Sequence, residues 1–320
     1  MKTLLLVRKD LEKVLTMELA IPAVEAAFAA HGRGEAIMPP KLYLPLEKHE
    51  GDFRAMPSYL SGAAGIKWVN MHPKNPAKHG LPAVMGVYVL SDPDTAFPLA
   101  ILDGTLLTSF RTGAAAAVAS KHLAVKEPAT IGFLGCGVQA RALLAAHRVL
   151  YPNFRALMCD AVPDSAARFA AEADGHVATP DQAGSCDIVC TATPARGPVL
   201  WRSYVGISTH INAMGADAPG KQELDPRILQ EATVVLDDFA QATESGEVNV
   251  PLHAGTYRRE QIHGTLGEVV AGRKPGRQGT EITVFDSTGL AIQDLALARA
   301  AVGAARELGL GTEIDLVGAA

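Results

Sequence analysis

The chain has 320 residues, 48% of them hydrophobic and 20% charged, with a net charge of −5 and an isoelectric point near 6.1. This is the composition of a globular protein long enough for about two domains. It offers no basic face for nucleic acid and no apolar run of membrane-spanning length, so small ligands are the expected partners.

The first apolar run, Leu4 to Val7, stops at Arg8 and Lys9. It is too short for a signal-peptide core, which makes the cytoplasm the expected location, and it reads as a strand. A helix follows from about Met17 to His31, with Ile21, Val24, Ala27 and Phe28 on its apolar side and Gly32 and Gly34 at its end.

From Met38 to Leu102 short alternating segments are separated by Pro, Gly and Asn. Lys41 to Leu44, Phe53 to Met56, Ile66 to Val69, Val84 to Leu90 and Pro98 to Leu102 are predicted as strands of an antiparallel sheet. Lys41, Arg54 and Lys67 each sit inside such a strand. Cations on neighbouring strands repel unless an anion lies between them, which points to a substrate carboxylate; the alternative is that each reaches solvent or pairs with an acid of its own fold. Arg111 is predicted just ahead of an Ala-rich helix that joins the first domain to the second.

Ile131 to Leu134 reads as a buried strand and Gln139 to Leu150 as a helix. Between them Gly135, Gly137 and Ala140 spell G-x-G-x-x-A, with Val138 and Gln139 as the intervening residues of this cofactor-binding turn. Small residues at these points permit a tight turn, a close approach of backbone to pyrophosphate, and close helix–strand packing. The next predicted strand, Phe154 to Cys159, ends in Asp160, some 25 positions after Gly135. A carboxylate there accepts the adenosine ribose hydroxyls and disfavours a 2′-phosphate, so NAD is expected over NADP.

Strands and helices alternate from here, the signature of a parallel, doubly wound sheet. Asp187 to Thr193 is a strand whose Thr-rich end, with Thr191, falls where carboxyl ends of strands line a cofactor cleft. The segments His210 to Asp217 and Thr233 to Asp238 supply further strands, and Glu281 to Asp286 is expected to close the sheet, with Ser287, Thr288 and Gly289 at its end. Asp217 follows a strand on a small-residue loop, where it can act on substrate or water or simply form a turn. Gly272 to Gly279 reads as an exposed basic loop, and Leu290 to Leu308 as a helix returning to the first domain. Cys136, Cys159, Cys186 and Cys190 lie in or beside buried strands; with no C-x-x-C pair or His cluster, they read as small core residues and no metal is expected.

The blocks MPPKLYL at 38–44, FRAMP at 53–57, GIKWVNMHPKNP at 65–76, SFRTGAA at 109–115, GCGVQA at 135–140, THINAMGADAPGKQELD at 209–225 and VFDSTGLAIQD at 284–294 together resemble the ornithine cyclodeaminase and μ-crystallin family, most of all its archaeal-type alanine dehydrogenases. The resemblance implies a homodimer whose subunit has a Rossmann NAD-binding domain (116–289) inserted into an α+β substrate-binding and dimerisation domain made from both chain ends (1–115 and 290–320).

It also implies roles. Lys41, Arg54, Lys67 and Arg111 would surround the substrate carboxylate and amino group, and Asp217 would be the acid/base, with Lys67 or Asp217 as the base; a lowered Lys67 pKa would come from Lys41, Arg54 and Arg111. The implied activity is NAD-dependent oxidative deamination of L-alanine or a similar small amino acid to its 2-oxo acid. The alternatives are ornithine cyclodeamination and reduction of pyrroline-2-carboxylate. Cyclodeaminases carry Glu where this chain has Arg54, and an arginine there would repel the second amine of ornithine. Cyclic-imine reduction is separated poorly, and a non-catalytic nucleotide-binding protein has no evident use for Lys67, Arg111 and Asp217 together.

Overall fold

The structure, a computed structural model, describes residues 1–318. It divides into two compact units, one made of Met1–Arg111 with the chain from Leu290 onward, the other of Thr112–Gly289. The division falls four residues before the 115/116 boundary expected from sequence.

The first unit is built on an eight-stranded sheet. Its order is Thr312–Ile314, Thr3–Leu6, Pro98–Asp103, Val84–Ser91, Ala63–Met71, Gly51–Leu60 and Ala36–Ile37, with Leu42–Leu46 also paired to Gly51–Leu60. Only the pair of Thr3–Leu6 with Pro98–Asp103 is parallel. The strands are longer than the alternating segments suggested, and Lys41 lies just before its strand rather than within it.

Register decides which side chains share a face. Met56 stands opposite Lys67, and Lys67 opposite Tyr88, so Arg54, Met56, Ser58, Lys67, Val69 and Tyr88 all point to the buried side. The helices Met17–Arg33 and Ala291–Glu307 pack against each other, and Ala291 joins Met56 and Val69 in the core. The opposite face carries Leu42, Leu44, Tyr59, Ile66, Trp68 and Val87, all exposed. A short helix, Arg8–Val14, was not anticipated; its seven residues are too few to show a period.

The second unit holds an all-parallel sheet in the order His176–Val177, Arg155–Cys159, Thr130–Leu134, Ile188–Thr191, His210–Ala213, Thr283–Asp286, Thr233–Leu236 and Ile262–Thr265. This is the expected doubly wound class, with one correction. Thr283–Asp286 does not close the sheet but lies between His210–Ala213 and Thr233–Leu236, and the edge belongs to Ile262–Thr265. All four residues of Thr283–Asp286 are buried, as an interior strand requires.

Two further readings change. Arg111 lies inside the helix Gly104–Leu123, not ahead of it, because the chain turns helical at once after Asp103, whose Oδ1 accepts from Thr105 N. The 272–279 loop is not simply a basic surface: Arg277 is partly buried and donates to the carbonyls of Leu123, Ser208, Gly279 and Glu281 and to Thr283 Oγ1. The cysteines are free thiols, three of them buried and Cys159 half-buried. Among the described residues no group of His, Cys, Asp and Glu could hold a metal ion, and no single helix is long and apolar enough to cross a membrane.

Candidate functional site

In the Thr112–Gly289 unit the strand Thr130–Leu134 runs into Gly135, whose φ of +93° suits glycine. Gly137 then precedes the helix Val138–Leu150. No atom lies within 4 Å of where a Gly137 Cβ would stand, Val138 is 72% exposed and Ala140 is wholly buried. The first helical turn carries no acidic residue, so its free N–H groups and the helix dipole are available to an anion.

Asp160 is tied to the same turn. Its Oδ2 accepts from Cys136 N at 2.7 Å and its Oδ1 from Val162 N at 2.8 Å, and Arg141 donates to the carbonyls of Cys136 and Gly137. A partly exposed carboxylate fixed beside an open glycine turn fits the ribose and pyrophosphate of a dinucleotide.

At the neighbouring strand ends the side chains support one another. Thr191 is fully buried and its hydroxyl donates to Glu223 Oε2 at 2.6 Å, so its side chain is spent inside the protein. Glu223 also accepts from Thr193 N, Thr193 Oγ1 and Gly215 N; one carboxylate thereby ties together the loops after Ile188–Thr191 and His210–Ala213. Ser287 is buried, and Thr288 N and Gly289 N donate to Asp237 Oδ2 at 2.6 and 2.7 Å. Asp217, on the second of the loops tied by Glu223, is partly exposed and forms an ion pair with Lys221 at 2.6 Å.

The first unit holds a buried cluster of opposite charges. Lys67 is 1% exposed, and its Nζ donates to Asp294 Oδ2 at 2.7 Å and to Thr108 Oγ1 at 3.2 Å. Arg111 donates through Nη1 to Gln293 Oε1 at 3.3 Å, while its Nε lies 3.6 Å from Asp294 Oδ1. The Lys67 pKa is pushed down to about 7, first by burial; Asp294 opposes the shift, and Arg111 and Lys41 add to it. The lowering expected from sequence is therefore present, but loss of water is its main cause and Arg54 is not among the contributors.

Arg54 has a different setting. Its Nε and Nη2 donate to the two oxygens of Asp52 at 2.9 and 3.1 Å, and its guanidinium lies over the Tyr43 ring. Charge repulsion of a second substrate amine, the sequence-based argument against ornithine, is weakened because Asp52 offsets the Arg54 charge.

The sequence matches the ornithine cyclodeaminase/mu-crystallin family over residues 1–307. The chain belongs to that family.

Alanine dehydrogenase from Archaeoglobus fulgidus is 46% identical to it over 320 residues, 98% of each chain. The fold is similar to that of an archaeal alanine dehydrogenase solved as a dimer with bound NAD (TM-score 0.95, 46% identity, 99% of this chain and 100% of that one). It is also similar to Δ1-pyrroline-2-carboxylate reductase from Thermococcus litoralis in complex with NADH and L-proline (TM-score 0.93, 38% identity, 98% and 100% of the two chains).

Four residues of this family member were not singled out from its sequence: Asp52, Lys221, Glu223 and Asp294. Asp294 left a trace, since it occupies the stripe of Ala291, Leu295, Ala298 and Val302, where an acid is out of place unless paired. Asp52 is two residues from Arg54 on one strand face, and Lys221 four from Asp217. Nothing local marks Glu223, whose partners come from distant strands.

Proposed function

We propose that this protein is an NAD-dependent amino-acid dehydrogenase that interconverts L-alanine, or a similarly small amino acid, with its 2-oxo acid and ammonia in the cytoplasm. The observation that carries the reading is Lys67, an amine wholly removed from water and brought to about 7 beside a guanidinium. Such a group takes a proton from a substrate ammonium at neutral pH, and a neutral amine is what loss of hydride from Cα requires. The likeness to the Archaeoglobus enzyme supports the choice of alanine.

In this reading Lys41, Arg54 and Arg111 bind the substrate carboxylate, Lys67 accepts the proton, and Asp217 activates the water that attacks the imine and carries protons as ammonia leaves. NAD, when bound, accepts the hydride at its nicotinamide. Gly135, Gly137, Val138, Gln139 and Ala140 hold its pyrophosphate, and Asp160 its ribose. Thr191, Ser287, Thr288 and Gly289 shape the rest of the cofactor cleft, Thr191 and Thr288 through their bonds to Glu223 and Asp237.

Absorbance at 340 nm tests this directly. NADH is consumed with pyruvate and ammonia if the reading holds, and silence there with oxidation on pyrroline-2-carboxylate moves the assignment to imine reduction, which the likeness to the Thermococcus reductase favours as the second reading. Proline made from ornithine with catalytic NAD, and no net NADH, would mark a cyclodeaminase. Replacing Arg54 with Ala removes a charged anchor and leaves Asp52 unpaired; the pyruvate KM rises by about tenfold or more, and an unaltered KM rejects the clamp.

We assign the homodimer contact to the exposed apolar face of the first unit, which carries Leu42, Leu44, Ile66, Trp68 and Val87. The double variant Ile66→Asp/Trp68→Asp is expected to shift the protein from dimer to monomer in light scattering coupled to gel filtration. A dimer of unchanged stability would place the contact elsewhere.

A further inference from the structure

We propose that Asp294 is the positioning residue of Lys67: its carboxylate fixes where the lysine amine points and governs how readily that amine takes up and gives away a proton during turnover. The inference rests on the dehydrogenase reading above and deepens it at one position.

The geometry carries it. Asp294 and Lys67 are 0% and 1% exposed and 2.7 Å apart, and they come from distant parts of the chain, the helix Ala291–Glu307 and the strand Ala63–Met71. Two ions without water are held in one geometry only if their remaining valences are directed. Here the Lys67 amine has Thr108 Oγ1 as its second acceptor. Asp294 Oδ1 and Arg111 Nε, both buried and both lacking a hydrogen-bond partner, face each other at 3.6 Å. Gln293, the residue before Asp294, holds the Arg111 Nη1. One turn of helix therefore sets both cations assigned to the substrate amino and carboxylate groups.

The groups facing Lys67 are Asp294 from the C-terminal helix, Arg111 with Thr108 from the helix Gly104–Leu123, Lys41 from the segment before Leu42–Leu46, and Tyr88 from the paired strand. Burial, Arg111 and Lys41 push the amine toward its neutral form, and the Asp294 carboxylate pulls it back. With the carboxylate present, kcat/KM for alanine oxidation is expected to fall about tenfold per pH unit below about 7, because protonated Lys67 cannot accept a proton.

Asp294→Asn should move that acid limb down by one pH unit or more and lower the plateau. Asp294→Glu keeps the charge but displaces it, and should shift the limb less. A limb that stays in place in both variants while only stability or the plateau drops would overturn the proposal and leave Asp294 a structural residue. The same variants are read without substrate by following the 13Cε shift of Lys67 against pH, its signal identified by loss in Lys67→Arg. A titration that moves with Asp294→Glu or Asp294→Asn supports the coupling even if the wild-type enzyme proves inactive on pyruvate and on cyclic imines, an outcome that rejects the substrate assignment alone; a titration that does not move rejects the coupling.

Discussion

In the variant Asp217→Asn, turnover of pyruvate and ammonia is expected to fall by about 10²–10⁴-fold while the affinity for NADH is nearly unchanged. Asparagine keeps the shape of the side chain and an oxygen able to accept from Lys221, now 2.6 Å from Asp217 Oδ1, but it cannot take up a proton. The loop itself is held by Glu223 through Gly215 N, so the substitution leaves the backbone in place. NADH fluorescence titration gives the affinity and steady-state rates give kcat. Unchanged turnover would sink the acid/base role of Asp217, and a parallel loss of NADH binding would make it a structural one.

The pH dependence of stability is expected to have two limbs of opposite origin. His147 and His210 lie wholly buried in one polar chain: His147 Nε2 meets Ser120 Oγ at 2.9 Å, Ser120 accepts from Asn212, and His210 bridges Asn212 and Thr283. Burial pushes His147 down to about 4 and His210 to about 3. Both values lie below the ordinary 6.5, so the folded protein holds these rings neutral and unfolding lets them bind protons. Their contribution is complete above about pH 6.5 and is lost as the pH falls toward 4 and 3.

Asp286 acts in the other direction. Burial, with help from Asp237 and Glu223, raises it to about 8 against the backbone hydrogen bonds that favour its charge. A carboxyl whose folded pKa is raised stabilises the folded state fully below its ordinary value near 3.8, and that contribution is lost as the pH rises to about 8. Asp286→Asn removes the alkaline loss, and its Oδ1 still accepts from Val248 N as the wild-type carboxylate does. At pH 9 its melting temperature is expected to exceed that of the wild type by about 5 °C, with a smaller gain at pH 5. Thermal scans across that range decide the matter: a gain that does not grow with pH means that Asp286 is not the source of the limb.

Much of the second unit was legible because its signals are local. Apolar runs define Thr130–Leu134, which stops at Gly135, and Ile188–Thr191, and the small residues at 135, 137 and 140 state where a helix begins and where an anion can approach. The position of Thr283–Asp286 was not legible, since a buried run reads alike at the centre and at the edge of a sheet, and only the path of the chain between strands assigns its neighbours. In the first unit the alternation announced strands and flagged Lys41, Arg54 and Lys67 as unusual.

What those cations are for depended on partners that no local pattern reveals. Asp52 lies close in sequence, yet its bidentate bond to Arg54 needs the extended backbone of Gly51–Leu60 to set both side chains on one face. Asp294 is 227 positions from Lys67, and the return of the C-terminal helix onto the sheet is what unites them. The sequence by itself determined most element types, the family and which charged side chains stand out from apolar surroundings, because propensity, spacing and side-chain type are properties of short segments. Only the tertiary structure decided which of those residues lose their water and which acid faces which base, because desolvation and charge pairing arise when distant segments pack.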